Sequence, residues 1–224
     1  MSRIAVIDYG MGNLHSIAKA LEHVSARERV IISGAPEVLR RADRLVFPGV
    51  GAIADCMSEL QRLGLDEVIR EAVRTRPVLG ICLGMQALLE NSDENDGVSC
   101  LGLLRGRIRR FDETTDAAGR RLRVPHMGWN QVAPLAEHPL WAGIDPGSRF
   151  YFVHSYYAPA DSEGVAATTE HGVRFASALA ADNLFAVQFH PEKSQQAGLA
   201  LLRNFVHWDG EMQRVAGPRA ALAR

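Results

Sequence analysis

The chain has 224 residues and a formal net charge of −1, with 25 Lys and Arg against 26 Asp and Glu, 47% apolar and 23% charged residues. That length suits a single domain burying roughly 70–75% of its unfolded surface without a disulfide or metal staple, and its neutral balance offers no overall pull toward nucleic acid or anionic lipid. The three cysteines, Cys56, Cys82 and Cys100, cannot all pair and none stands in a C-x-x-C spacing, so neither a disulfide framework nor a structural zinc site is expected.

Met-Ser-Arg runs directly into an apolar, β-branched strand at Ile4 to Ile7, with no basic and apolar leader before it. Leu14, Ile17, Ala18 and Leu21 then recur at helical spacing. A second strand is predicted at Val30 to Ile32, followed by a short helix through Val38 and Leu39. A third is predicted at Leu45 to Phe47, ending in Pro48-Gly49-Val50-Gly51. Ala52 to Arg74 reads as helix broken at Gly64, Pro77 to Ile81 as a fourth strand, and Leu83 to Glu90 as a helix. Short apolar strands separated by helices predict an α/β fold, a mostly parallel central sheet covered on both faces. The second half turns strand-rich, with runs near Gly106–Phe111, Leu122–Val124, Phe150–Val153, Val165–Thr168, Phe175–Leu179 and Leu184–Phe189. The Ala-Ala-Asp-Asn between the last two reads as a hairpin turn, so a smaller antiparallel region joins the parallel one. A helix from Gln195 to about Val206 closes the domain, expected to span 1–208, and 209–224 reads as a loosely held extension. No window reaches the ~18 consecutive apolar residues of a membrane span, and the expected address is a reducing cytoplasm.

The most specific segment is Gly80-Ile81-Cys82-Leu83-Gly84-Met85-Gln86. A cysteine at a sharp strand-to-helix turn is lifted clear of the sheet, and flanking glycines let strand and helix crowd together. The helix start favours the thiolate and offers free N–H groups, the Leu83 amide being the natural oxyanion donor. A nucleophilic cysteine needs a base, and the base an orienter. Phe189-His190-Pro191-Glu192-Lys193-Ser194 supplies both, His190 to take the thiol proton and Glu192 to hold the imidazole, from a corner stiffened by Pro191. The Val50-Gly51 peptide can present a second N–H to an oxyanion. His15, His23, His138, His171 and His207 read as surface residues; His126 and His154 fit core or interface and are assigned no chemistry.

These three segments, G-I-C-L-G-M-Q, P-G-V-G and F-H-P-E-K-S, resemble the class I, or triad, glutamine amidotransferases, which have a flavodoxin-like fold. Asp8-Tyr9-Gly10-Met11-Gly12-Asn13-Leu14, Pro125-His126-Met127-Gly128-Trp129-Asn130 and Tyr151-Phe152-Val153-His154-Ser155-Tyr156 are similar to the glutaminase subunits of imidazole glycerol phosphate synthases in histidine biosynthesis. The resemblance runs from about Ile4 to Trp208 in the same order.

It implies hydrolysis of L-glutamine to glutamate and ammonia by Cys82, His190 and Glu192 through a γ-glutamyl thioester, with Val50, Gly51 and Leu83 around the oxyanion. It implies glutamine contacts from Gly49, Gly51, Gln86, Ser155 and Tyr156. It calls for no cofactor and no metal. It implies a heterodimer in which ammonia passes to a (β/α)8 cyclase subunit, across a face including Asn13, Met127, Trp129, Tyr151 and Lys193. Core packing is the other reading of Trp129 and Tyr151. A sister subunit such as the anthranilate synthase glutaminase would share the triad but lack H-M-G-W-N and Y-F-V-H-S-Y. A stand-alone γ-glutamyl thiol hydrolase would be fully active without a partner, and a non-catalytic adaptor would not need an intact triad.

Overall fold

The computed structural model describes residues 2–112, 115 and 121–211. Four strands, β1 (Arg3–Ile7), β2 (Arg29–Ser33), β3 (Arg44–Gly49) and β4 (Val78–Cys82), alternate with helices α1 (Leu14–Val24), α2 (Pro36–Arg40), α3 (Ile53–Leu63) and α4 (Leu65–Thr75). The short helix α5 (Leu83–Gln86) leaves β4 without a loop. The second half holds β5 (Asn91–Ser92), β6 (Val98–Ser99), β7 (Arg107–Arg110), β8 (His126–Gln131), β9 (Ala133–Pro134), β10 (Arg149–His154) and β11 (Tyr156–Pro159). Then come β12 (Val165–His171), β13 (Val173–Ala181), β14 (Leu184–Val187) and α6 (Gln195–His207).

The main sheet runs β2-β1-β3-β4-β14-β13-β11-β7-β5-β6, with β12 on β13 and β9 on β12. Its first five strands in that order are mutually parallel, and β13 begins the antiparallel part. β8 and β10 form a separate antiparallel ribbon, Tyr151 opposite Trp129 and His154 opposite His126.

Alternation along β1 builds two cores. Ala5 and Ile7 pack with Ile53, Leu60 and Val68 of α3 and α4. Ile4 and Val6 pack on the opposite face with Ile17 and Leu21 of α1 and Leu201 and Phe205 of α6. Covered on both faces, these strands carry unbroken apolar runs rather than polar alternation. Local signals set the ends. The Asn13 side chain accepts from the Ser16 N–H to start α1. Gly64, at φ +65°, ends α3 in the left-handed conformation and lets α4 begin at once. Asp182, at φ +45°, makes the β13–β14 turn.

Three expectations need correction. The helix after Cys82 stops at Gln86 rather than Glu90. The carbonyls of Ala87, Leu88, Leu89 and Glu90 accept instead from amides of Cys100 to Leu104, so a loop takes the bonds a longer helix would need. No strand forms over 122–124; the ribbon strand β8 starts at His126. Its inward positions are His126, Gly128 and Asn130, so it shows no apolar alternation to read. His138 is buried, not superficial: its ring packs against Phe185 and Trp208, and its Nδ1 accepts from the Leu140 N–H. At the end of the domain, the Arg44 guanidinium donates twice to the Trp208 carbonyl. Residues 212–224 of the expected extension lie outside the described residues.

Candidate active site

The C-terminal ends of β3, β4 and β14 converge, Gly49 pairing with Cys82 and Val187 with Ile81. In open α/β sheets that end is where ligands bind. Cys82 sits at φ +54° and ψ −108°, a sparsely populated conformation for a residue with a side chain. The turn survives because its flanks are glycine. A Cβ on Gly84 would collide with the Phe47 carbonyl oxygen, and one on Gly80 would stand 3.0 Å from the Ala186 Cβ. Leu83 opens α5 and so carries one of the unpaired N–H groups of a helix start. Beside it, Val50 is exposed and Gly51 stands at φ +102°. Their loop is tied down by Tyr9, a buried residue whose hydroxyl donates to the Pro48 carbonyl at 2.9 Å.

The His190 Nδ1 lies 2.9 Å from Glu192 Oε1, the two side chains only 3% and 1% exposed. That bond makes Nδ1 the protonated nitrogen and turns Nε2 to the thiol as acceptor. Nε2 is buried with no closed hydrogen bond, and Glu192 Oε2 is likewise buried and unpartnered. Burial opposes a charge on His190, but the hydrogen bonds and charges of Cys82 and Glu192 overcome it, pushing the imidazole up to about 10. The site thus favours a proton held on the imidazole. The corner is stapled to the ribbon: the His190 N–H donates to the Tyr151 carbonyl at 2.9 Å. The Ser194 hydroxyl accepts from the Tyr151 N–H and donates to the His190 carbonyl.

A cleft of about 410 Å³ opens at Cys82, lined among others by Val50, Gly51, Leu83, Gln86, Ser155 and Tyr156. The larger groove, about 1190 Å³, lies at the other end of β14 around Arg74 and Asn183, far from these groups in the fold. Gln86 is buried, its Nε2 donating to the Tyr156 carbonyl and to Gln188 Oε1, both at 2.9 Å. Four contributors escaped the sequence reading. Glu94 lines the cleft, its carboxyl raised by burial, and accepts from the Ile53 N–H. Gln188, with no exposed surface, donates to Cys82 Sγ at 3.7 Å. Tyr9 and Ser194 hold the loops. Gln188 did leave a signal, a lone amide in the apolar run from Leu184 to Phe189.

Of the remaining expected positions, Met127, Trp129 and Tyr151 lie on the ribbon and Lys193 against it. Met127 and Trp129 are exposed, 63% and 38%, which excludes core packing for Trp129. Tyr151 is half-buried, edge-on to Trp129 at 6.1 Å, with Lys193 Nζ 5.8 Å from its ring centre. Asn13 is exposed at the start of α1. His126 and His154 are core, not surface: His126 Nδ1 lies 2.9 Å from His154 Nε2, and His154 Nδ1 2.8 Å from the Tyr156 carbonyl. Among the described residues, no group of three or more His, Cys, Asp or Glu is placed to hold a metal ion.

Residues 5–208 match the family model described as glutamine amidotransferase class-I. The chain is 61% identical over 211 residues to imidazole glycerol phosphate synthase subunit HisH 1 of Pseudomonas aeruginosa, covering 94% of this chain and 99% of that one. It is 59% identical over 212 residues to the HisH subunit of Methylococcus capsulatus, covering 93% and 98%. Among solved structures it resembles the acivicin-bound glutaminase domain of Trypanosoma brucei CTPS, with a TM-score of 0.60, 19% identity and coverage of 95% and 96%. It also resembles PurLQS of Thermotoga maritima, with a TM-score of 0.67, 18% identity and coverage of 92% and 98%. These two likenesses speak for the fold alone. The chain therefore belongs to the class I glutamine amidotransferases and, within them, to the family of HisH subunits of imidazole glycerol phosphate synthase.

Proposed function

We infer that the cleft hydrolyses L-glutamine by a Cys82-His190-Glu192 triad and that the ammonia serves a cyclase subunit in histidine biosynthesis. The observation that carries this is a cysteine held in a strained elbow beside a buried imidazole whose other nitrogen bonds a buried carboxylate. His190 Nε2 takes the Cys82 thiol proton as Sγ attacks the side-chain amide carbon, and the oxygen becomes an oxyanion facing the Leu83 and Gly51 amides, where one good donor contributes about 3 kcal/mol. His190 then gives its Nε2 proton to the leaving nitrogen, so ammonia departs and a γ-glutamyl thioester remains. Water attacks that thioester, passes a proton back to His190, and glutamate leaves as the thiolate reforms. Glu192 fixes the imidazole and its charge throughout.

Substrate recognition follows from the same cleft. Both N–H groups of Gln86 are engaged by Tyr156 and Gln188, so this side chain meets substrate through its Oε1. Glu94 offers a carboxylate to the α-ammonium, and Ser155, Tyr156, Val50 and Gly51 border the rest of the molecule.

The acceptor reaction belongs to a second chain, read as a (β/α)8 cyclase forming a heterodimer with this one. An exposed Met127 and Trp129 beside Tyr151 and Lys193, with Asn13 exposed at the start of α1, support docking there, since aromatic and methionine anchors suit an interface centre. Sealing is required, because ammonia released to water is protonated and lost as a nucleophile. Three free cysteines support work in a reducing cytoplasm. The deciding experiment mixes the purified chain with a cyclase subunit and follows glutamate release with and without the cyclase's nucleotide substrate. Activity should be very weak alone and rise strongly in the complex. Cys82→Ala should abolish glutamine-dependent synthesis while ammonium salts still support the cyclase; full activity of the isolated chain refutes the coupling.

A further inference from the structure

The buried amide of Gln188 has its polarity dictated from a distance. A backbone carbonyl can only accept, so the Tyr156 oxygen requires Gln86 to present its NH2 group there, at 2.9 Å. The second hydrogen of that NH2 meets Gln188, again at 2.9 Å, and a donor requires an acceptor, so Gln188 must turn its Oε1 to Gln86. Its own NH2 is then left facing Cys82 Sγ, at 3.7 Å. Flipping Gln188 alone would set two NH2 groups against each other inside a dry core. A second chain ends on the same carbonyl. His154 Nδ1 donates to Tyr156 at 2.8 Å, His154 Nε2 accepts from His126 Nδ1, and His126 Nε2 accepts from Asn130 Nδ2 at 3.2 Å. Every tautomer and amide in the cluster follows from one carbonyl.

We propose that Gln188 is a second holder of the nucleophile: its NH2 group, locked by Gln86 and Tyr156, donates to Cys82 Sγ and favours the thiolate formed when His190 Nε2 takes the thiol proton. This rests on Cys82 being the nucleophile. Hydrogen bonds to an ionised acceptor are about twice as strong as neutral ones, so this bond strengthens when the proton leaves. It also restricts where the sulfur can point. Cys82 Sγ also donates to the Val153 carbonyl, at 4.0 Å, a group that favours the protonated thiol. The other polar groups acting around the sulfur are His190 and Glu192 from the corner after β14, Tyr9 from the loop after β1, and Glu94 and His154 in the cleft wall.

The test is the pH profile of Cys82 alkylation by iodoacetamide in the full chain, read by peptide mass so that Cys56 and Cys100 are scored separately. Gln188→Met removes the donor at similar volume. Gln188→Glu keeps an oxygen for Gln86 and replaces the NH2 with a second oxygen. For a bond of this kind the midpoint should move up by about one pH unit in Gln188→Met, a tenfold smaller thiolate fraction at any pH well below the midpoint, and further in Gln188→Glu. Gln86→Leu, which frees Gln188 to turn, should move it in the same direction by less. A wild-type midpoint in either folded Gln188 variant overturns the proposal, even where the melting temperature falls, because a purely structural amide would change stability and leave the profile alone. Should Gln188→Met not fold, Gln188→Glu decides. The assay needs no glutamine, so it is separate from the triad reading: glutamine hydrolysis that survives Cys82→Ala sinks that reading whatever the alkylation profile.

Discussion

Acidification between pH 7.5 and 5 should destabilise the folded chain through its buried histidines. Burial, with the neighbouring His154 and His171 charges, pushes His126 down to about 2. Burial foremost pushes His154 down to about 3 and, acting alone, His138 to about 4. In the unfolded chain each titrates near 6.5. The unfolded state therefore binds more protons throughout this window, and stability falls as pH falls. From pH 7.5 to 5 each ring contributes about 2 kcal/mol of that loss, or about 6 kcal/mol for three. His190 works the other way. Held at about 10, it favours the folded state fully below 6.5 and progressively less as pH rises through 10, so acidification from 7.5 returns about 1.4 kcal/mol. Glu94, raised by burial, acts in the same sense as His190. The net loss comes to about 4 kcal/mol. Glu28 and Glu59, whose carboxyls are lowered, lose their contributions only at more acid pH, outside the window. The assay is urea unfolding by tryptophan fluorescence at fixed ionic strength, using buried Trp141 and Trp208 as reporters. His138→Asn keeps an acceptor for the Leu140 N–H and removes one titrating ring, so it should take away about a third of the histidine slope. Stability that holds steady or rises from pH 6.5 to 5 would refute the neutral histidine chain and the tautomers drawn from it.

Glu192→Gln removes the carboxylate charge beside His190 and should lower kcat for glutamate release in the complex roughly a hundredfold with KM little changed; a loss under threefold contradicts its assigned role. Gly84→Ala drives a methyl into the Phe47 carbonyl and should cost about 3 kcal/mol, a melting temperature lower by roughly 6–12 °C; an unchanged value means the helix can slide off the strand. Met127→Ala and Trp129→Ala should alter the isolated chain's stability by less than about 0.5 kcal/mol, yet weaken cyclase binding, by calorimetry, at least about tenfold. Equal affinity would move the docking face elsewhere.

What the sequence disclosed follows the reach of its signals. The parallel half was legible because strands buried on both faces are written as apolar runs, and because Gly64 can only punctuate a helix. The elbow and the corner were legible because each is local: Cys82 with its two glycines, His190 with Pro191 and Glu192. Long-range competition was not legible. Nothing within Ala87 to Glu90 says that Cys100 to Leu104 will claim its carbonyls. Strand β8 was hidden because its inward positions are a histidine, a glycine and an asparagine, serving a polar network instead of an oily face. His138 looked superficial since a histidine between Glu137 and Pro139 carries no sign of the aromatic shelf formed by Phe185 and Trp208. Glu94 entered the cleft through the fold alone.

The ribbon gives a physical reason for the proposed triad to depend on the proposed partner. Tyr151 has its ring on the outer side, edge-on to Trp129 and beneath Lys193, where the cyclase is proposed to sit. Its backbone does something else: the carbonyl accepts from the His190 N–H and the amide donates to Ser194 Oγ, whose hydroxyl also bonds the His190 carbonyl. One residue thus presents a side chain to the proposed docking face and both main-chain groups to the His190 corner. A two-stranded ribbon has little stability of its own, and its register here rests on packing beneath it. Displacing Tyr151 breaks bonds on which the position of the imidazole depends, and clamping it preserves them. At the far end of the same ribbon, the paired His126 and His154 fasten the Tyr156 carbonyl that orients Gln86 and Gln188. The proposed base and nucleophile are therefore both referred to the ribbon by hydrogen bonds, and a partner that stiffened it would act on both without touching either.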